Sequence, residues 1–345
     1  MRPTLRNEIL NLPRTLRETL EKGKREYDPV IRTTHWGDMP VTFAAPAAKL
    51  PLAEFMASAF GSLLGWPCVV QSAVDAGGSA GVRIRPKSIW FLIPERGESS
   101  ELLPLAQSVR SQNGIALALV GEKSDPLAQA VDGAFVVNLG EMLGRIGLPI
   151  GEQAVAGHLP LLVARTLKRP VPRFEALEKE FVQLPDHLER AFAQHADGVR
   201  SLAAELGRAK NLTIVAGGSY YCSAAGSADL LSRFAGIATR LLRVSEVPAS
   251  TQVAPDHGSS VLVLTGARSP IKKQTLAVVQ SAKRAGAKVL TLTDGNDPEV
   301  ARHSAMTLFL PPLDEITGAI LAHAVMAWTV YEASRLSLVG RRPEK

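Results

Sequence analysis

The chain has 345 residues, of which 46% are hydrophobic and 21% charged, and its formal net charge is +6. That length allows two cores of ordinary domain size, and the composition excludes a disordered chain. Its basic residues are scattered in short clusters, among them 22–25 and Arg341-Arg342, so nucleic acid is not the expected partner; a small anion fits as well. Cys68 and Cys222 stand far apart, with no His or Cys at metal-ligand spacing. Neither a disulfide framework nor a zinc site is expected, and the compartment reads as reducing. The longest apolar run, 318–331, is shorter than about 20 residues and carries His323, and the amino terminus shows no signal-peptide core. We read a cytoplasmic protein that does not enter a membrane.

In chain order, Leu5, Ile9, Leu12, Leu16 and Leu20 recur at helical spacing, with Pro13 interrupting them. Two short helices or one kinked helix would explain the pattern. The apolar stripe needs a cover, either from the same chain or from a second subunit. From Val41 the pattern becomes strand and helix in alternation. Strands are expected at 41–45, 68–70, 88–93, 115–120 and 134–137, and helices at 52–64 and from the turn at 94–100 to about Gln112. A further helix starts near Pro126, with Ser124 as its expected N-cap. An apolar helix at 159–168, a break at Arg169-Pro170-Val171-Pro172 and a long amphipathic helix over 188–206 form a linker.

The second half is more explicit. Leu212-Thr213-Ile214-Val215-Ala216 is an apolar strand that breaks at Gly217-Gly218-Ser219-Tyr220-Tyr221 into a helix over 222–234. A strand ending in two glycines and a hydroxyl, with a helix starting at once, gathers backbone N–H groups and a positive helix end at one point, where an anion would sit. The layout recurs at 260–264, with the turn Thr265-Gly266-Ala267-Arg268-Ser269 and a helix over 272–285, and again as a strand at 288–292. Continuous apolar strands between amphipathic helices imply parallel sheets covered on both faces, with ligands beyond the carboxyl ends of the strands. The stretch 88–120 repeats the layout of 260–292, and each half places an Asp-Pro pair, Asp125-Pro126 and Asp297-Pro298, after this stretch. The fold class expected is α/β: two three-layer, flavodoxin-like parallel-sheet domains in pseudo-twofold repeat. We place an arm at 1–35, the first domain at 36–165, linker helices at 166–205 and the second domain at 206–340.

These features resemble the double sugar-isomerase (SIS) domain proteins, which include the isomerase half of glucosamine-6-phosphate synthase and phosphosugar isomerases and deaminases. Glu8-Ile9-Leu10-Asn11-Leu12-Pro13 is similar to the family's opening Glu-Ile-x-x-x-Pro, and Leu184-Pro185 before a Leu/Glu-rich helix resembles its linker. Gly217-Gly218-Ser219-Tyr220 resembles the Gly-x-Gly-x-Ser-Tyr loop, and Val244-Ser245-Glu246 the Ser-Glu that ends the next strand. The family's Ser-x-Ser-Gly-Glu-Thr motif is partly kept as Pro94-Glu95-Arg96-Gly97-Glu98-Ser99, without its two earlier serines. In the second half the same turn reads Thr265-Gly266-Ala267-Arg268-Ser269. Asp256-His257-Gly258 keeps two residues of a His-Gly-Pro turn, and Leu313-Asp314-Glu315-Ile316 resembles Glu-Ile-Gly before a helix. No Glu stands in 228–236, where the synthase carries a catalytic Lys-Glu pair.

The resemblance implies a sugar-phosphate ligand and a homodimer, with no metal or organic cofactor required. The phosphate-binding residues it points to are Gly218, Ser219, Tyr220, Thr265, Gly266, Arg268 and Ser269, together with Gly97 and Ser99. His257 would open the sugar ring, and Glu98 or Glu315 would move the proton between adjacent carbons. Each has a plainer reading: Ser219 as a helix cap, Glu98 as a favourable first-turn charge, Arg268 and His257 as exposed loop residues. An isomerase or deaminase is the first expectation, and a non-catalytic sugar-phosphate sensor is the second.

Overall fold

The computed structural model describes residues 5–36, 40–77, 84–96, 98–138, 144–247, 259–295 and 297–340. It divides into two compact units, one formed by 14–182 and the other by 1–13 with 183–345. Helix α1 (Leu5–Glu26) and the helix over Phe174–Gln194 each contribute residues to both units. Pro13 lies inside α1, which is one continuous helix, and Ile9, Leu12, Leu16 and Leu20 are all buried.

The first unit holds a five-stranded parallel sheet of β1 (Val41–Ala45), β2 (Cys68–Ser72), β3 (Ile89–Leu92), β4 (Ile115–Val120) and β5 (Gly133–Val136), in the order β2-β1-β3-β4-β5. α2 (Leu50–Leu64) follows β1, α3 (Leu103–Ser111) follows β3, and the buried α4 (Gly147–Thr166) follows the sheet, succeeded by α5 (Phe174–Gln194), which begins in this unit and ends in the other. β1 and β3 are buried at every residue, as the two-sided cover of a parallel sheet requires. The core on one face is aromatic: Phe91 stacks on Phe43 at 5.2 Å and on Phe135 at 5.8 Å, with Phe60 and Trp36 around them.

The second unit holds α6 (Ala196–Arg208), β6 (Leu212–Ala216), α7 (Tyr220–Leu230), β7 (Thr239–Arg243), β8 (Ser260–Thr265), α8 (Lys272–Arg284), β9 (Lys288–Asp294), β10 (Met306–Leu310) and α9 (Glu315–Gly340). Its sheet is parallel and ordered β10-β9-β8-β6-β7. Counted from its own first strand this is again 2-1-3-4-5, the flavodoxin-like order. β10 was not among the strands expected, and β7 was expected only through the family resemblance. Both are edge strands with partly exposed residues, so neither shows a continuous apolar run.

Two local expectations change. The cap before Pro126 is Asp125, whose carboxylate accepts from Leu127 N–H, and not Ser124. The expected single helix over 188–206 is two helices, α5 and α6, divided at His195. Asp297 repeats the role of Asp125 in the second unit: it accepts from the N–H groups of Glu299 and Val300 and pairs with Lys272 at 3.3 Å. Both Asp-Pro pairs are therefore helix starts, with proline where no N–H is needed. Asp297→Ala is expected to cost about 1–2 kcal/mol, measured by urea unfolding, because it removes a cap and leaves Lys272 with Glu299 alone. An unchanged midpoint would refute that role.

The helix expected at 52–64 and the apolar run that begins at 318 are covered to a large extent within the single chain. Phe55, Met56 and Phe60 are buried, as are Ile320, Leu321, Val325 and Met326. Burial of these faces does not call for a second copy. Among the described residues no helix is long and apolar enough to cross a membrane.

Candidate functional site

In a sheet of order 2-1-3-4-5, the chain leaves its first strand on one side and returns through its third on the other, so the turns after these two strands flank a crevice at the carboxyl edge. Each unit has one such crevice. In the second, the turns are those after β6 and β8, and the structure brings Gly218, Ser219, Tyr220, Thr265, Gly266, Ser269 and Glu315 into or beside it.

Gly218 has φ +56°, and a Cβ placed there would overlap Glu315 Oε1. Glycine is thus required twice, by conformation and by the approach of the carboxylate. Glu315 Oε1 accepts from the Ser219 N–H at 3.3 Å and from the Ser269 hydroxyl at 3.4 Å. Its position is set by the start of α9, where Asp314 caps the helix by accepting from Ile316 N–H at 3.1 Å. A second carboxylate lies beside it. Asp294, at the end of β9, accepts from the Ala267 N–H and from the Tyr220 hydroxyl, the latter at 3.3 Å. Burial pushes the Asp294 carboxyl up from its ordinary range, against the pull of Ala267, Tyr220 and Arg268. Burial and the neighbouring carboxylates push the Tyr220 phenol up as well. Thr265 is buried, and Arg268 is exposed.

In the first unit, the turns after β1 and β3 flank the crevice. Ser99 opens a short helical turn (Ser99–Leu102) that runs into α3; Ser99 itself is 4% exposed. Glu98 precedes it and is exposed. After β1 stands Lys49, paired with the buried Glu152 of α4. The sequence reading did not single out Lys49, because nothing local marks it: its partner lies 103 residues away. Gly97 and His257, expected in the phosphate and ring-opening roles, lie outside the described residues. Among the described residues no group of three or more His, Cys, Asp or Glu could hold a metal ion.

Two open parallel sheets of the same strand order define the class: flavodoxin-like α/β units. Residues 41–142 match the family model of the SIS domain, so the chain carries a SIS domain in its first unit. No curated protein matches the sequence. Among solved structures, the C-terminal domain of glucosamine-fructose-6-phosphate aminotransferase from Francisella tularensis is similar with a TM-score of 0.81 at 14% identity, over 98% of this chain and 97% of that one. Glucosamine-6-phosphate deaminase from Thermotoga maritima is similar at 0.70 and 13% identity, over 95% of this chain and 93% of that one. Tagatose-6-phosphate ketose/aldose isomerase from Escherichia coli gives 0.69 and 13% identity, over 96% and 92%. At these identities the likeness is one of fold.

Proposed function

We propose that the protein binds a sugar phosphate in the crevice of its first unit and acts on it as an aldose-ketose isomerase or a deaminase. The observation that carries this reading is the match of residues 41–142 to the SIS domain, within which the turn after β3 places the buried residue Ser99 at the switch point. For a ligand in the first unit, Gly97 and Ser99 would hold the phosphate and Glu98 would transfer the proton, as in the chemistry of an open-chain sugar; for one in the second unit, proton transfer would fall to Glu315 and ring opening to His257. Gly218, Ser219, Tyr220, Thr265, Gly266, Arg268 and Ser269 form the other candidate seat, where a phosphate has to displace Glu315.

The test measures binding and turnover on the same samples. Hexose and hexosamine phosphates are screened by thermal shift, and hits are assayed for isomerisation and ammonia release. A hit with turnover is the expected result; no stabilisation by any sugar phosphate would sink the proposal. Ser99→Ala is expected to weaken binding of such a hit about tenfold, the value of one hydrogen bond to a charged group, and an unchanged Kd would remove Ser99 from the site.

A second reading, a non-catalytic sugar-phosphate sensor, is favoured by one observation: Glu315, a candidate base, is committed to Ser219 and Ser269. Binding without turnover selects it. The cytoplasmic location, the pseudo-twofold repeat and the homodimer belong to the same proposal. For the repeat the support is the shared strand order. For the dimer it is a groove of about 420 Å³ in which Ile9, Leu10, Trp328 and Tyr331 are flanked by Arg6, Glu332 and Arg335, with Leu10 58% exposed in its lining. Light scattering giving the mass of one chain would remove the dimer.

A further inference from the structure

The crevice of the second unit has the parts of an anion seat, yet its donors are already in use. The Ser219 N–H at the start of α7 and the Ser269 hydroxyl after β8 both donate to one oxygen, Glu315 Oε1, while Gly218 leaves room for that oxygen against the backbone. The Ala267 N–H and the Tyr220 hydroxyl donate to Asp294. Gly266 and Gly318 have no room for a side chain, because a Cβ on either would overlap the Tyr220 hydroxyl. Two carboxylates thus occupy the places where phosphate oxygens would accept, and a dianion entering the crevice would lose its donors and meet like charge. The exposed Arg268 is the cation that faces Asp294.

We infer that Glu315 is the resident anion of the second unit's crevice and closes it to phosphate, so that sugar phosphate is confined to the first unit. The closure stands on the second unit's geometry alone; the confinement rests on the function proposed above. Glu315 is held from two sides, by the capped start of its own helix and by turns 96 and 46 residues distant in sequence. It therefore acts as a specificity-determining residue: it selects which of two crevices of the same order takes the ligand.

The experiment uses the full chain with inorganic phosphate as the probe, reading the backbone amide shifts of Ser219 and Ser269 by NMR. In the wild type these amides are expected to stay unmoved by phosphate. In Glu315→Ala they are expected to move saturably, with an affinity at least about tenfold above any wild-type response. Adding Ser269→Ala to that variant is expected to weaken the new site. A saturable shift of the Ser219 amide in the wild type would overturn the inference, as would a folded Glu315→Ala that ignores phosphate. Should Glu315→Ala fail to fold, Glu315→Gln decides. It keeps the volume and an acceptor for Ser219, so the fold survives, and loss of the charge is expected to raise phosphate affinity about threefold or more. An unchanged affinity there also overturns the inference. The Ser99 amide, followed in the same spectra during a fructose 6-phosphate titration, reports on the first unit separately. Its silence would sink sugar-phosphate binding there while leaving the closure by Glu315 standing.

Discussion

Phe91→Ala is expected to lower the unfolding free energy of the first unit by about 4 kcal/mol. The ring is fully buried on β3, stacked on Phe43 with an interplanar angle of 12° and on Phe135 with one of 27°. Phe60 meets it at 5.5 Å and Trp36 at 6.3 Å. Truncation removes the apolar transfer gain, forfeits ring pairs worth about 0.5–1.5 kcal/mol each, and leaves a cavity. The cavity cannot close readily, because Phe43 and Phe135 are fixed on strands whose backbones are hydrogen-bonded into the sheet. Guanidinium unfolding followed by tryptophan fluorescence reads the loss, since Trp36 and Trp66 stack at 5.4 Å in the same cluster. A loss below about 2 kcal/mol would show that the cluster repacks.

The second large effect is expected at Glu178. Its carboxylate binds Arg165 at 2.5 Å and Lys24 at 3.0 Å through one oxygen, and faces His158 Nε2 at 3.3 Å through the other. His158 stacks on Phe181 at 4.7 Å, with only 3% of its side chain exposed. Glu178→Ala is expected to cost about 2–3 kcal/mol, below the loss for a fully buried pair because Arg165 and Lys24 reach solvent. The same group makes stability depend on pH. Burial pushes the Glu178 carboxyl up, but His158, Lys24 and Arg165 together outweigh it and hold the group well below its ordinary value. Burial pushes the His158 imidazole down, and the contact with Glu178 only partly offsets this.

Both groups bind protons less readily folded than unfolded, so both contribute stability at neutral pH and lose it in acid. The imidazole contribution is fully present above its ordinary value of 6.5 and fades below it; the carboxylate contribution is present above 4.5 and fades below that. Calorimetry between about pH 8 and pH 4 is expected to show a Tm that falls from near pH 6.5 downward, and His158→Phe should flatten the first part of that fall. A Tm independent of pH over this range would refute the assignment.

Much of the α/β architecture is legible in the residues themselves. The limits of β1, β4 and β6 agree with the expected strands to the residue, because a strand covered on both faces must be apolar throughout and the turns that end it are glycine, proline or hydroxyl residues. The Asp-Pro pairs mark helix starts in both halves for the same kind of local reason. The edge strands β7 and β10 and the continuous α1 were less clear, since a half-exposed edge tolerates polar residues and a helix whose apolar face is buried tolerates Pro13.

By itself, then, the sequence determined most of the alternation of strands and helices and the two glycine- or hydroxyl-bearing turns of the second half. Only the tertiary structure decided what fills them. Ser219 and Ser269 lie 96 and 46 residues from Glu315, and neither turn shows locally that its donors will end on a carboxylate of the chain. The same holds for Lys49 with Glu152 and for Glu178 with Lys24. Local residues fix backbone conformation and donor supply, but the partner of a buried charge is chosen by which distant helix packs against it, and that is set by the whole core at once.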